Sequence, residues 1–206
     1  VLDIGCGTGR LGTELRRGQA KAKVTFLDND EQQIEKLKLK SGCKKVVAEA
    51  TNLPFEYESF AKTLSVFSAI HWAETPYERI QSLNEALRVT EVGGSLFVIP
   101  AFSSLHHRQR LNPKIEQLTH RVKGKEMTVS KLALKTWALQ DYVMLHSLLA
   151  FAKQSYCSIT WCGTPKPSLR QVDNYSAIID KHRSIPPEVF AGNLAVAERF
   201  MANTTN

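Results

Sequence analysis

The sequence predicts an α/β protein built on an open, mostly parallel sheet flanked by helices, and three observations carry that reading. Short apolar runs and helix-patterned stretches alternate from Val1 to Pro100, as an open parallel sheet requires. The first apolar run, Val1 to Ile4, leads at once into Gly5-Cys6-Gly7-Thr8-Gly9, a glycine-rich turn of the kind that joins a buried strand to a helix. The chain's 206 residues are 43 % apolar and 23 % charged, the composition of a globular protein large enough to bury a substantial core.

The elements follow in order. Val1–Ile4 is a short apolar strand, and Thr8–Arg17 a helix with Leu11 and Leu15 on one face. Lys23–Leu27 (KVTFL) is a second strand, followed by a lysine-rich helix from Asp30 to Lys40, with Asp30 as its capping residue. Lys45–Ala48 is a third strand and Thr63–Phe67 (TLSVF) a fourth. Pro76–Val89 is a helix opened by Thr75 as cap and Pro76 at its first position. Gly93-Gly94 is expected to break the chain before a fifth strand, Ser95–Ile99 (SLFVI). Beyond Pro100 the alternation slackens, and Ala101–Lys131 is polar and basic with no assigned element. Leu132–Lys153 reads as a long helix, apolar around much of its circumference at Trp137, Tyr142, Val143, Leu148 and Leu149. Ser155–Trp161 alternates as a strand does, and Asn174–Asp180 returns beside it until Pro186-Pro187 ends that arm. Phe190, Leu194, Ala197 and Met201 mark one face of a final amphipathic helix.

Composition narrows the setting. No apolar run approaches the roughly 18 residues that a membrane span needs, and no signal peptide is visible. A chain that opens inside a strand motif is expected to have lost its native N-terminus. Cys6, Cys43, Cys157 and Cys162 are scattered with no C-x-x-C pair, which favours reduced thiols in a cytoplasmic protein over a disulfide or metal framework. No H-E-x-x-H or other metal spacing occurs, so no metal is expected. The net charge of +7 favours anionic partners.

The opening turn admits two readings. Gly7-Thr8-Gly9-Arg10-Leu11-Gly12 is a literal G-x-G-x-x-G, the dinucleotide fingerprint, whereas Asp3 to Gly9 spells D-x-G-x-G-x-G. A dinucleotide would seat its pyrophosphate on the helix N-terminus, where Asp3 would repel it. S-adenosylmethionine instead presents an ammonium group that a carboxylate receives. Asp28, at the end of the second strand, suits ribose hydroxyls under either reading.

Downstream segments separate the two. D-x-G-x-G-x-G resembles motif I of class I S-adenosylmethionine-dependent methyltransferases. AEATNLPFEYESF, Ala48 to Phe60, resembles that superfamily's G-D-A-x-x-L-P-F-x-x-x-S-F-D, and ALRVTEVGGSLFVIP, Ala86 to Pro100, resembles its R-V-L-K-P-G-G-x-L-x-I. Three departures stand out: Glu49 for the commoner Asp, Ala61 where an Asp follows Ser-Phe, and Val92 for the Pro before Gly-Gly. The resemblance covers Val1 to Pro100, and beyond it only element order agrees.

The resemblance implies a Rossmann-like class I methyltransferase fold, a mostly parallel seven-stranded sheet with an antiparallel last strand and helices on both faces. It implies a cofactor-binding domain over residues 1–182, with 101–131 as a substrate-cover insertion and 183–206 as a C-terminal amphipathic helix extension. It implies S-adenosylmethionine as cofactor and S-adenosylhomocysteine as product. The cofactor contacts would come from Asp3, Gly5, Cys6, Gly7 and Gly9 in the loop, Asp28 and Asn29 after the second strand, Glu49 and Ala50 at the adenine, and Phe67. Cys6 would contribute its backbone amide, with its thiol as a small space-filler.

A sulfonium methyl is already activated, so the protein's part is to align the nucleophile and exclude water. His71, just after the fourth strand, serves either as general base or as a loop hydrogen-bonding group, and Trp72 either lines the acceptor pocket or belongs to the core. From Ala101 to Lys131 seven Lys or Arg stand against Glu116 and Glu126, five of the chain's net +7. This stretch is either a solvated face or a cover in which Arg108 and Arg110 grip an anionic acceptor. The leading reading is methyl transfer to a small anionic acceptor. The alternatives are an RNA or tRNA methyltransferase, with nucleic acid as partner, and a non-catalytic methyltransferase-like binding subunit.

Overall fold

The structure, a computed structural model, describes residues 1–19, 21–39, 41–66, 70, 73, 75–99, 117–122, 125–130, 143–144, 146–162 and 176–204. In chain order the elements are β1 (Leu2–Ile4), α1 (Arg10–Gly18), β2 (Thr25–Asp28), α2 (Glu31–Lys36), β3 (Lys44–Val47), β4 (Phe60–Val66), α3 (Pro76–Val89) and β5 (Thr90–Ile99). Then come β6 (Gln117–Val122), β7 (Lys125–Ser130), a helical segment at 146–153, β8 (Cys157–Cys162), β9 (Ser176–Lys181) and α4 (Pro187–Thr204).

Seven strands form one sheet in the order β3-β2-β1-β4-β5-β9-β8. β1 to β5 pair in parallel, and β9 runs antiparallel to both β5 and β8. This is the fold class expected. Strand order reverses between β1 and β4, which opens a crevice at the carboxyl ends of those strands, where open α/β sheets bind ligands. β6 and β7 form a separate antiparallel hairpin inside the basic stretch 101–131.

Alternation along the strands sends apolar side chains to both faces of the sheet. On one face Leu2, Ile4, Leu27, Leu96, Val98 and Ile179 join the buried side of α3 (Ile80, Leu83, Leu87) in the main core. Phe190 and Ala197 of α4 belong to that same core, and Phe190 meets Phe151 edge-on, with ring centroids 6.0 Å apart. On the other face Val24, Phe26, Ile34 and Leu37 form a smaller cluster. Lys181 is 1 % exposed and donates to the carbonyls of Leu87 (3.1 Å) and Thr90 (2.7 Å) at the C-terminal end of α3. Glu58 lies 3.2 Å from its ammonium, so the buried cation is paired and also answers the helix dipole.

Several boundaries differ from expectation for identifiable reasons. α1 starts at Arg10 because Gly7 (φ 51°) and Gly9 (φ 69°) are left-handed, which a helix cannot accommodate. Its buried residue is Gly12, and Leu15 is exposed, because the helix lies close against Phe26 of β2. A Cβ at Gly12 would come within 2.4 Å of the Phe26 ring. α2 ends at Lys36 because Leu37 turns extended (ψ 125°) and buries itself in the smaller cluster.

The glycine pair does not break the fifth strand, and β5 runs continuously from Thr90. Gly93 (φ 82°) sits in an irregularity where the register against β4 shifts between Phe60 and Lys62. A Cβ on Gly94 would stand 2.7 Å from the Ala61 carbonyl, so the neighbouring backbone itself requires glycine there. α3 matches the expected bounds, and its Thr75–Glu78 capping box is complete.

Candidate functional site

The loop after β1 is shaped by three left-handed glycines, Gly5 (φ 66°), Gly7 (φ 51°) and Gly9 (φ 69°). Their surroundings differ. A Cβ on Gly9 would meet the Leu37 side chain at 2.6 Å, whereas at Gly7 nothing among the described residues lies within 4 Å. Among the described residues the loop thus packs closely at Gly9 and is open at Gly7, which forms a cradle.

Asp28, the last residue of β2, clasps this loop. Its Oδ2 accepts from the Gly7 amide at 2.8 Å and its Oδ1 from the Asp30 amide at 2.9 Å. Each oxygen retains capacity for a second donor, as ribose hydroxyls would supply. Asp30 caps α2 as expected, accepting from the amides of Gln32 and Gln33.

Asp3 is only 3 % exposed and accepts from the Gly12 amide at 3.1 Å. The N-cap of α1 is Gly9, which has no side chain to satisfy the first-turn amides, and Asp3 reaches across from β1 to accept from one of them, that of Gly12. Burial raises its pKa to about 6, against the Gly12 hydrogen bond, and the Asp28 charge adds to the rise. Burial, with the charges of Asp3 and Asp28, pushes the Cys6 thiol far up, so it stays a neutral thiol. The Cys6 amide, expected to serve a ligand, instead donates to the Leu27 carbonyl at 3.0 Å.

Backbone donors and the two acids bear on the two glycine readings. A pyrophosphate would need amides at the helix N-terminus. Those of Gly7, Gly9 and Gly12 already donate to Asp28, to the Cys6 carbonyl and to Asp3. With these three amides engaged, the carboxylates of Asp3 and Asp28 stand against the loop, an arrangement that favours a cation and hydroxyl donors over a phosphate.

β2 and β3 end side by side, with the Ala48 amide donating to the Asp28 carbonyl at 3.1 Å. This brings Asn29 and Glu49 together, and Asn29 Nδ2 lies 3.0 Å from each carboxylate oxygen of Glu49. Ala50, next in the chain, is buried in the core. The segment beyond it is fixed by residues that sequence reasoning missed. Glu85 accepts from the Leu53 amide at 2.8 Å, while Arg88 donates to the carbonyls of Leu53 (3.0 Å) and Phe55 (2.7 Å). The two side chains also pair with each other at 2.6 Å. Their spacing of three on α3 signals only the pair itself, not its backbone partners.

Asp3, Gly5, Gly7, Gly9, Asp28, Asn29, Glu49 and Ala50 thus all lie in or beside the loops that leave β1, β2 and β3 at one edge of the sheet. β4, parallel to β1, also ends at that edge with Val66. Phe67, His71, Trp72, Arg108 and Arg110 lie outside the described residues. Among the described residues no group of three or more His, Cys, Asp or Glu is placed to hold a metal ion, and no helix is long and apolar enough to cross a membrane.

Residues 1–94 match the model of a methyltransferase domain family. The chain is 31 % identical over 97 residues to the chloroplastic 2-methyl-6-phytyl-1,4-hydroquinone methyltransferase 2 of Oryza sativa subsp. japonica, a match covering 46 % of this chain and 27 % of that protein. It is 30 % identical over 102 residues to the corresponding protein of Arabidopsis thaliana, covering 48 % and 29 %. The match therefore spans less than a third of these relatives' length. Among solved structures, a plantazolicin methyltransferase in complex with SAH and a monoazolic desmethyl analogue superposes with a TM-score of 0.60 at 13 % identity, covering 88 % of this chain and 75 % of that one. A Pyrococcus horikoshii protein superposes with a TM-score of 0.53 at 18 % identity, covering 87 % and 80 %. At these identities the superpositions establish the fold.

Proposed function

We propose that this chain, a member of the class I S-adenosylmethionine-dependent methyltransferase superfamily, binds S-adenosylmethionine in the β1–β3 cradle and transfers its methyl group to a small-molecule acceptor. The observation that carries the proposal is the carboxylate clasp of the glycine loop, in which Asp28 and Asp3 accept from the Gly7 and Gly12 amides and set two acids against the turn, where a phosphate's charge would be repelled. Asp3 and the loop receive the ammonium end of the cofactor, Asp28 the ribose hydroxyls, and Glu49 the adenine amino group, with Ala50 beside the ring.

When bound, the cofactor supplies a methyl group on a positively charged sulfur, ready for in-line displacement. The chain's residues do the rest by position. The clasped loop holds the cofactor's amino-acid end at the carboxyl edge of β1, and the end of β4 carries the chain into the segment with Phe67, His71 and Trp72. In this reading Phe67 packs on the cofactor, His71 accepts the acceptor's proton where one must leave, and Trp72 walls the acceptor pocket.

The acceptor is read as an anion. The basic stretch 101–131 concentrates five of the chain's net +7, and Arg108 and Arg110 offer planar forks that suit a carboxylate or phosphate. The curated relatives are named for a hydroquinone acceptor, and their match covers less than half of this chain. Replacing both arginines by Ala tests the reading. With carboxylic acids as acceptors, KM should rise at least about tenfold, roughly one charge-assisted pair. S-adenosylhomocysteine affinity should not move. Turnover unchanged on every acid tested would remove the anionic acceptor. A partial loss on RNA, with a shallower salt slope, would favour a nucleic-acid substrate.

A further inference from the structure

Glu49 presents a difficulty for adenine recognition. It stands where the superfamily more commonly has Asp, and the extra methylene adds a rotatable bond to an exposed carboxylate. A free glutamate in that loop would sample many positions, and little selectivity follows from an acceptor that moves. In this chain the carboxylate is not free. Asn29, on the adjacent loop, places its Nδ2 at 3.0 Å from both Oε1 and Oε2 of Glu49. The equal distances orient the carboxylate toward Asn29 and leave the outer lone pairs of both oxygens for other donors. The pairing is set by the sheet, since Asp28 pairs with Val47 and the Ala48 amide donates to the Asp28 carbonyl. The tether thus springs from the residue next to the ribose-binding acid, so the positions of the two acids are linked.

We propose that Asn29 is a positioning residue that fixes the longer Glu49 side chain as an oriented acceptor, and so sets the site's selectivity for a 6-amino purine over a 6-oxo purine. The inference rests on the S-adenosylmethionine reading of the cradle. A fixed acceptor rewards the two N–H donors of a 6-amino group and opposes a 6-oxo group, which offers only another acceptor. Sites built around a donor–acceptor pair reject analogues lacking it far more strongly than sites built on shape. A tether that restrains Glu49 acts on that difference and leaves contacts to the ribose and amino-acid ends untouched.

The test compares S-adenosylhomocysteine with S-inosylhomocysteine by calorimetry on the parent chain, on Asn29→Ala, on Glu49→Asp and on the double variant. The parent should prefer the adenosyl ligand by at least about tenfold. Asn29→Ala should cut that preference at least about fivefold, by weakening the adenosyl ligand. In the Glu49→Asp background, where the shorter side chain dispenses with the tether, Asn29→Ala should leave the preference unchanged. A preference that survives Asn29→Ala in the parent background overturns the proposal, as does an equal loss in both backgrounds, which would mean general loosening of the loop. Failure of the parent to bind S-adenosylhomocysteine at all would instead overturn the cofactor reading, and this inference with it.

Discussion

Replacing Asp28 with Ala is expected to weaken S-adenosylhomocysteine binding by about a hundredfold or more while the sheet remains folded. The carboxylate performs two tasks. In the proposed site it would offer two charge-assisted hydrogen bonds to the ribose, each worth about 1.5–3 kcal/mol, and tenfold in affinity corresponds to about 1.4 kcal/mol. It also accepts from the Gly7 and Asp30 amides, so its loss loosens the cradle before any ligand arrives. Asp28→Asn should fall between parent and Ala, because one amide oxygen cannot replace two carboxylate oxygens. Calorimetry gives the affinity, and circular dichroism verifies the fold. An affinity unchanged in Asp28→Ala would reduce Asp28 to a residue that only shapes the loop.

The second large effect is a pH dependence that belongs to Asp3. Burial holds its pKa at about 6 in the folded chain, above the ordinary carboxylate range near 4. Between those values the folded state binds more protons than the unfolded state. Unfolding free energy therefore falls as pH rises from about 4 to about 6, and the lower value persists above that. The cost of keeping Asp3 ionised at neutral pH is on the order of 3 kcal/mol. A cationic ligand reverses the preference by favouring the carboxylate.

The unliganded chain should thus be most favoured with Asp3 protonated and the liganded chain with Asp3 ionised. S-adenosylhomocysteine affinity should drop by up to about tenfold per pH unit below about 6, with proton release visible in the buffer dependence of the binding enthalpy. Asp3→Asn should be at least as stable as the parent at pH 7, keep the Gly12 contact through its amide oxygen, lose the pH slope, and bind the ligand at least about thirtyfold more weakly. Affinity independent of pH between 5 and 7 would separate Asp3 from the ligand's charge.

Much of this architecture is legible in the sequence wherever one local rule decides the outcome. Thr75, Pro76 and Glu78 mark the start of α3 because cap, first-turn proline and capping box agree. Asp3, Asp28 and the glycines declare the cradle because few arrangements other than a tight strand-to-helix turn use those types at that spacing. Tertiary contacts decide the remainder. Leu15 belongs to a good helical face yet is exposed, because Gly12 lets α1 approach Phe26 and turns that face away from the core. Gly93-Gly94 looks like a break, but it lies inside β5, where Gly94 packs against the Ala61 carbonyl of the paired strand β4. The Glu85–Arg88 grip on Leu53 and Phe55, and the Asn29–Glu49 tether, join residues about 20 or more positions apart, which no local pattern encodes. The same holds for Lys181, whose partners at Glu58, Leu87 and Thr90 come together only once the sheet has formed.

The central claim is that the glycine loop receives an S-adenosyl ligand and not a dinucleotide, and thermal unfolding with each ligand at high concentration tests it most directly. At a hundred times its dissociation constant, a ligand that binds only the folded state adds about 2.7 kcal/mol. For a chain of this size that raises Tm by roughly 5–10 °C. S-adenosylhomocysteine and S-adenosylmethionine are expected to produce that rise and NAD to produce none. A rise with NAD, and none with either S-adenosyl ligand, would contradict the account.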